Sequence, residues 1–168
     1  DLHSFPTRRS SDLEIYRFQI GYTALMLVFF ALLCFLPSIA PGGISQNEMD
    51  SVVAANEISF TNPTNEKVVN LPYYLLQKIS ISIFGLSLYS IKLPSIIISV
   101  FAALFIILLL NRWFKSDVAI VGSILTTLST AFLFLAGSGT PVIMYIFWSA
   151  LILWVGSKIV GNEHTSPI

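Results

Sequence analysis

The charged side chains best suited to chemistry lie between two long uncharged stretches of this sequence; they are Glu48, Asp50, Lys78 and Lys92. A carboxylate can accept a proton from a bound group, and a lysine ammonium can pair with an anion as a compact point charge. Each also has a plainer explanation. Glu48 can complete a helix cap, Asp50 can lie on the solvated face of a helix, and the lysines can anchor a helix at a membrane surface.

Other catalytic patterns are absent from the sequence. The one cysteine and the two histidines, which are far apart, do not form a His/Cys metal-binding pattern. The sequence contains neither a phosphate-binding G-x-x-x-x-G-K-[ST] loop nor a G-x-S-x-G elbow. No cofactor is evident, and metal dependence stays open. The formal net charge of zero gives no indication of a nucleic-acid partner.

The elements that must position these side chains are membrane helices. Hydrophobic residues make up 55% of the 168 residues and charged residues only 11%, which indicates a chain that lies in a lipid bilayer. Charge-free stretches of bilayer-spanning length predict an all-α, polytopic membrane protein with about four transmembrane helices. The predicted spans are residues 18–36, 90–112, 118–136 and 141–160, with a loop over 37–89 and a polar tail or truncation point at 161–168.

Basic residues predict the orientation of these helices. By the positive-inside rule, four of them place the N-terminus and one end of each span in the cytoplasm and the loop 37–89 outside. These residues are Arg17, Arg112, Lys115 and Lys158. An alternative interpretation of the first span is a signal peptide cleaved after Ala40. Its apolar stretch is longer than is usual for such a peptide, and Pro41 would follow the cut.

The first part of the outer loop predicts a short amphipathic helix over residues 46–58. Ser45 and Glu48 have the S-x-x-E spacing of a capping box, which marks a helix start. One face is predicted to be apolar and carries Met49, Val52, Val53 and Phe60; the opposite face carries Asp50, Ala54 and Glu57.

A second amphipathic helix is predicted after the turn-rich residues 61–65. Asn70 can cap this helix, and Pro72 is tolerated in its first turn. The apolar stripe consists of Leu75, Leu76, Ile79, Ile83 and Leu86. Tyr73 and Tyr74 are suited to the headgroup level, so both helices are predicted to lie along the outer membrane face.

The chain has one predicted span, then the outer loop with its acidic residues and two amphipathic helices, then the stretch "NLPYYLLQKISISIFGLSLYSIKLPS" before the next span. This order resembles that of the GT-C class of membrane glycosyltransferases. The closest likeness is to the branch of protein O-mannosyltransferases and aminoarabinose transferases. Those enzymes have an acidic pair soon after the first helix, a His-x-Pro-Leu-Tyr-Tyr-like stretch, a Phe-Gly and an Arg-Leu-Pro-Ser that enters the second span. The matching positions are residues 70–74, 84–85 and 92–95, and the resemblance covers about residues 14–160.

The resemblance implies transfer of a sugar from a polyprenyl-phosphate carrier to an unidentified acceptor outside a prokaryotic plasma membrane. It implies that a carboxylate of the first outer loop accepts the proton of the acceptor, and the candidates are Glu48 and Asp50. The candidate substrate-binding residues are Lys92, Tyr73, Tyr74 and Lys78. Lys92 would pair with the carrier phosphate, whereas the two tyrosines have the alternative of a place in the aromatic belt of the membrane.

The sequence departs from the family pattern at the acidic pair. The pair usually reads Asp-Glu, but here it reads Asn47-Glu48, with Asp50 two residues later. An asparagine cannot serve as the base. About 200° of helix separates Glu48 from Asp50, so we expect only one of the two to face the substrate. The second outer turn, which includes Gly139 and Thr140, carries no charge, although the family often places polar or acidic residues there.

Two further interpretations concern the extent of the chain. Residues 1–13 can be back-translated in one frame into a standard short-read sequencing adapter, so we predict that they are a disordered artefact. The rest would be an N-terminal fragment of a longer glycosyltransferase and inactive by itself. The alternative function is that of a small non-catalytic membrane subunit or a piece of a transporter. The absence of Asp and Glu within the spans argues against an ion-coupled pathway.

Overall fold

The computed structural model describes the backbone of residues 8–39, 43–58 and 70–163, and the side chains of 19–35, 43–58 and 70–160. These residues form seven helices: α1 Arg8–Ile39, α2 Gln46–Glu57, α3 Leu71–Phe84, α4 Leu88–Trp113, α5 Ser116–Thr127, α6 Thr130–Gly137 and α7 Ile143–Glu163. The predicted all-α membrane architecture is therefore confirmed. Helix α4 lies at the centre, in contact with α1, α3, α5, α6 and α7.

The number of membrane spans is two or three by length and composition. Among the described residues, α4 and the part Ile143–Val160 of α7 are long and apolar enough to cross a bilayer. Helices α5 and α6 together would make a third span. The apolar part of α1 whose side chains are described, Gln19–Phe35, is shorter.

The predicted span over residues 118–136 is broken. Helices α5 and α6 meet at an angle of 53° around Leu128 and Ser129, whereas one continuous helix was predicted. The hydroxyl of Ser129 accepts a hydrogen bond from the backbone N–H of Phe132 at 3.3 Å and so caps the start of α6. A serine that forms such a cap favours a new helix start over continuation of the preceding helix.

The first and last helices extend into both terminal segments. Helix α1 begins at Arg8, so residues 8–13 are helical rather than disordered, since they extend the register of the apolar helix that follows. Residues 1–7 lie outside the described residues. Helix α7 continues to Glu163, so the predicted tail over 161–168 is helical at its start, and residues 164–168 are not described.

Side-chain contacts show which helix ends lie together. The hydroxyl of Tyr22 in α1 donates to Asn111 Oδ1 in α4, and Arg112 Nε donates to the carbonyl of Ser157 in α7 at 3.0 Å. The opposite end of the bundle carries α2, α3, the start of α4 and the turn 138–142 between α6 and α7. Lys92, at that end, is therefore remote from Arg112.

Helix α2 has the predicted bounds to within one residue, and of the described residues on its predicted apolar face only Val52 is buried in the protein. The residues that it buries are Glu48, Ser51, Val52 and Ala55. Met49 and Val53, which also belong to the predicted apolar face, are 44% and 50% exposed. Apolar spacing alone cannot distinguish a protein core from lipid, because both favour apolar side chains. Phe60 lies outside the described residues.

Helix α3 turns its polar side chains inward and its apolar stripe outward. Tyr73, Gln77 and Ser80 are buried, whereas Ile79 and Ile83 are 53% and 68% exposed. This arrangement suits a helix at the membrane face, where lipid covers the apolar side. Tyr73 is fully buried in the protein, so its ring does not face lipid. Asn70 precedes the helix as predicted, but its side chain forms no capping hydrogen bond.

Candidate active site

A capping box fixes the start of α2. Glu48 N donates to Ser45 Oγ at 3.3 Å, and Ser45 N donates to Glu48 Oε2 at 2.8 Å. Both halves of the predicted S-x-x-E motif are therefore formed. A reciprocal cap of this kind satisfies two N–H groups that would otherwise have no partner in the helix. It also holds the carboxylate of Glu48 against the backbone.

The other oxygen of Glu48 joins α2 to two distant parts of the chain. Gly139 N donates to Glu48 Oε1 at 2.8 Å, and Lys92 Nζ forms an ion pair with the same oxygen at 3.4 Å. Glu48 is 3% exposed and Lys92 is 7% exposed. Burial raises the pKa of Glu48, but the hydrogen bonds from Gly139 and Ser45 and the charge of Lys92 outweigh this effect. The resulting pKa is below the ordinary value, and the carboxylate is ionised at neutral pH.

Gly139 allows the turn 138–142 to approach this carboxylate closely. A Cβ at position 139 would lie 2.9 Å from Ile91 Cγ2, 3.3 Å from Glu48 Cγ and 3.3 Å from the carbonyl oxygen of Ile91. The first distance is a clash and the other two are tighter than ordinary contacts. A side chain here would push the turn away from both α2 and α4.

Pro94 explains how α3 attaches to α4. A proline inside a helix has no N–H, so the carbonyl four residues earlier, that of Ser90, loses its helical partner. Ser80 Oγ in α3 donates to this carbonyl at 2.7 Å. One turn away, Gln77 accepts a hydrogen bond from Ser51 Oγ of α2 at 2.9 Å. The buried polar face of α3 thus links α2 to α4.

Tyr73 belongs to the same buried network. Its hydroxyl lies 2.9 Å from Ser95 Oγ, and Ser95 Oγ donates to the carbonyl of Thr140 at 3.4 Å. Burial raises the pKa of Tyr73 well above its ordinary value, so the phenol stays neutral. The turn 138–142 is therefore held from two sides, by Glu48 at residue 139 and by Ser95 at residue 140.

An open cavity of about 520 Å³ lies between α2 and this turn. Its polar lining comes from Ser45, Asn47, Asp50, Ser51, Tyr74, Ser138 and Thr140, and its apolar lining from Phe134, Leu135, Pro141 and Val142. Clefts with mostly apolar walls and a few convergent polar groups are typical ligand sites. Asp50 is exposed at this cavity, and Gln46 Nε2 donates to its Oδ1 at 3.2 Å.

The two predicted carboxylates face different surroundings. Asp50 and Tyr74 line the cavity, whereas Glu48 is buried behind its wall and does not line it. Their separation on the helix therefore places only Asp50 of the two carboxylates at the cavity.

The predicted substrate-binding residues are not all brought to the cavity. Lys92 is paired with Glu48, and Lys78 Nζ donates to the carbonyl of Ile58 at 2.8 Å. Tyr73 is fully buried behind Tyr74, whose ring it meets edge-on at 5.9 Å between centroids. Of the four, only Tyr74 lines the cavity.

Sequence reasoning missed several residues that shape the site. Ser51, Gln77 and Ser95 are buried polar residues whose partners lie far along the chain. The signal that could have found Gln77 is the run of polar residues on one side of the otherwise apolar α3. Pro94, which frees a carbonyl for Ser80, was a second signal. In the part of the chain that the structure describes, no three His, Cys, Asp or Glu residues form a group that could hold a metal ion.

Comparison with known families decides the class of the protein. The model of the family described as dolichyl-phosphate-mannose-protein mannosyltransferase matches residues 71–166, more than half of the chain. The chain belongs to this family. The predicted resemblance to GT-C membrane glycosyltransferases is thereby confirmed, and the apolar helices agree with a membrane-integral protein. The mannosyltransferase match begins at α3, so α2 with Glu48 and Asp50 precedes it.

No curated protein and no solved structure matches the chain significantly.

Proposed function

We propose that this chain is part of an integral-membrane glycosyltransferase in which Asp50 is the general base. The enzyme would move a sugar from a polyprenyl-phosphate carrier to an acceptor at the outer face of a prokaryotic plasma membrane. The family match supports a membrane glycosyltransferase, and the cavity beside α2 supports a site at one end of the helices. In this proposal the N-terminus is cytoplasmic, in agreement with Arg112, Lys115 and Lys158.

The contrast between Asp50 and Glu48 carries the proposal. Glu48 Oε2 accepts a hydrogen bond from Ser45 N. Glu48 Oε1 accepts one from Gly139 N and forms an ion pair with Lys92 Nζ. A carboxylate held in this way is poorly placed to receive a proton from an incoming acceptor. Asp50 is exposed at the cavity beside Tyr74, in a space large enough for a small polar group. A base must come within hydrogen-bond reach of the proton that it removes.

The proposed reaction is a single inverting displacement. The acceptor oxygen attacks the anomeric carbon of the sugar while Asp50 takes the proton from that oxygen. The bond between the anomeric carbon and the phosphate oxygen breaks, and the polyprenyl phosphate leaves with the electron pair. Asn47, Ser138 and Thr140 line the same cavity and supply neutral hydrogen-bonding groups that can orient the reactants.

The test is sugar transfer by the intact enzyme, of which this chain is proposed to be a part. The enzyme is reconstituted in vesicles that contain polyprenyl-phosphate sugars. Asp50→Asn keeps the shape of the side chain and removes the base. We expect the transfer rate to fall by about 100-fold or more, the usual range for loss of a general base. Glu57→Gln on the same helix is the matched control, because Glu57 does not line the cavity.

Three results would contradict the proposal. If the intact wild-type protein transfers no sugar from any polyprenyl-phosphate donor, the alternative of a non-catalytic membrane subunit is favoured. If Asp50→Asn transfers at the wild-type rate, the enzyme class stands but Asp50 is not the base. Equal losses in Asp50→Asn and Glu57→Gln would point to a general disturbance of α2 rather than to catalysis.

A further inference from the structure

We propose that Glu48 is a positioning residue that holds the two walls of the cavity together through Gly139 and Lys92. We call these three residues the Glu48 clamp. The inference rests on the proposed function in one respect, namely that the cavity beside α2 is the reaction site. Its structural part, the joining of α2 to the turn 138–142, is independent of any activity.

The residues next to Glu48 and Gly139 in the chain show which side chains the Glu48 clamp positions. Asn47 and Asp50 lie on either side of Glu48 along α2, and both line the cavity. Ser138 and Thr140 lie on either side of Gly139, and both line the same cavity from the opposite wall. The 2.8 Å hydrogen bond from Gly139 N to Glu48 Oε1 therefore joins the two walls between residues that line the cavity.

Burial keeps Glu48 and Lys92 paired with their partners in the Glu48 clamp. Glu48 and Lys92 are both nearly inaccessible to solvent, so neither can exchange its partner for water without an opening of the site. Glu48 also accepts from Ser45 N, which couples the joint to the start of α2. Lys92 extends it to α4, the central helix of the bundle. One carboxylate thus connects three elements that are distant in sequence.

Gly139 is the second requirement of the clamp. A Cβ at this position would clash with Ile91 Cγ2 at 2.9 Å, and it would also lie close to Glu48 Cγ. Gly139→Ala should therefore separate the walls without removing any charge. Glu48→Gln should loosen the same joint by removing the charge. Because both changes act on one contact, their effects should not add.

The first measurement is hydrogen exchange at the backbone amides of the intact protein. We expect Glu48→Gln and Gly139→Ala each to speed exchange of the Gly139 amide by about tenfold or more, through local opening. In Gly139→Ala, which removes no charge, exchange in the core of α4 should change little, whereas Glu48→Gln should also speed exchange there to the extent that it lowers the global free energy of unfolding. Gly156→Ala in α7 is the matched control, since a Cβ there meets nothing within 4 Å. Lys92→Arg, which keeps the positive charge, should preserve protection better than Lys92→Met.

The second measurement is sugar transfer by the same variants. A displacement of about 1 Å can reduce a rate by about 100-fold, so we expect losses of about 10- to 100-fold in Glu48→Gln and in Gly139→Ala. The double variant should be scarcely slower than the worse single variant. Losses of transfer rate that multiply in the double variant would contradict the proposal that Glu48 and Gly139 act through one contact.

The outcomes separate this inference from the proposed function. Unchanged exchange at the Gly139 amide in both Glu48→Gln and Gly139→Ala would overturn the clamp, whatever the transfer rates are. Faster exchange together with an inactive wild-type protein would support the clamp and remove the proposed function. Faster exchange with undiminished transfer would show that the joint exists but does not position the reaction, which also overturns the inference.

Discussion

Glu48→Gln is expected to destabilise the folded protein, and most of the loss should come from Lys92. Lys92 is 7% exposed, and its ammonium lies 3.4 Å from Glu48 Oε1. A glutamine keeps one acceptor oxygen for a backbone N–H but carries no charge. The substitution therefore leaves the Lys92 ammonium buried beside a neutral group. Removing one partner of a buried ion pair destabilises a protein more than removing both, because an unpaired buried charge remains.

The magnitude follows from what each variant leaves behind. Removal of one partner of a buried ion pair costs about 3–5 kcal/mol in the free energy of unfolding. Glu48→Gln combined with Lys92→Met removes the unpaired charge as well. The remaining cost is one or two lost hydrogen bonds, about 1–2 kcal/mol. The double variant should therefore be about 2–3 kcal/mol more stable than Glu48→Gln alone, a factor of roughly 30–150 in the folding equilibrium.

The assay is equilibrium unfolding of the intact protein in mixed detergent micelles. Helicity and intrinsic fluorescence are the two probes, and the unfolding transitions that they report must coincide. Lys115→Met is the control, since Lys115 is exposed at the other end of the bundle and should change stability by no more than about 0.5 kcal/mol. Two results would refute the reasoning. One is an unchanged stability in Glu48→Gln; the other is a double variant less stable than Glu48→Gln.

Three further predictions concern stability. The folded-state pKa of Glu48 is lowered from its ordinary value of 4.5, so its stabilising effect is fully present above pH 4.5 and is lost as the pH falls through the folded pKa. The difference in Tm between wild type and Glu48→Gln should therefore shrink below that pH, and a gap that widens in acid would contradict this sign. Tyr73→Phe should cost about 1 kcal/mol of unfolding free energy through loss of the contact with Ser95, and Tyr145→Phe, at an exposed site, should cost less. Ser129→Ala removes the cap of α6 and should cost about 0.5–2 kcal/mol in the same unfolding assay, against no more than about 0.5 kcal/mol for the exposed Ser149→Ala.

Short-range features of the site were predictable from the sequence. The capping box of Ser45 and Glu48 depends on residues three apart, and the structure forms both of its hydrogen bonds. The angle between Glu48 and Asp50 follows from helical geometry, which is why their different surroundings could be anticipated. The start of α3 near Asn70 with Pro72 in its first turn followed from equally local rules.

Long-range features could not be predicted in the same way. Glu48 and Gly139 are 91 residues apart, and no local pattern encodes their contact. The buried face of α2 could not be predicted from apolar spacing, because lipid and a protein core both favour apolar side chains and Met49 and Val53 lie outside the core. Tyr73 was assigned to the headgroup level by residue type alone. Its burial against Ser95, a buried hydroxyl 22 residues away, could not be read from residue type.

The most direct test of Asp50 as the base is chemical rescue of Asp50→Ala. This substitution removes the carboxylate and opens space in a cavity of about 520 Å³, where a small carboxylate such as formate can enter. We predict that Asp50→Ala transfers sugar at least about 100-fold more slowly than wild type and that added formate restores part of the rate. Glu48→Ala should gain nothing from formate. Wild-type transfer rates in Asp50→Ala, or rescue of Glu48→Ala alone, would contradict the assignment.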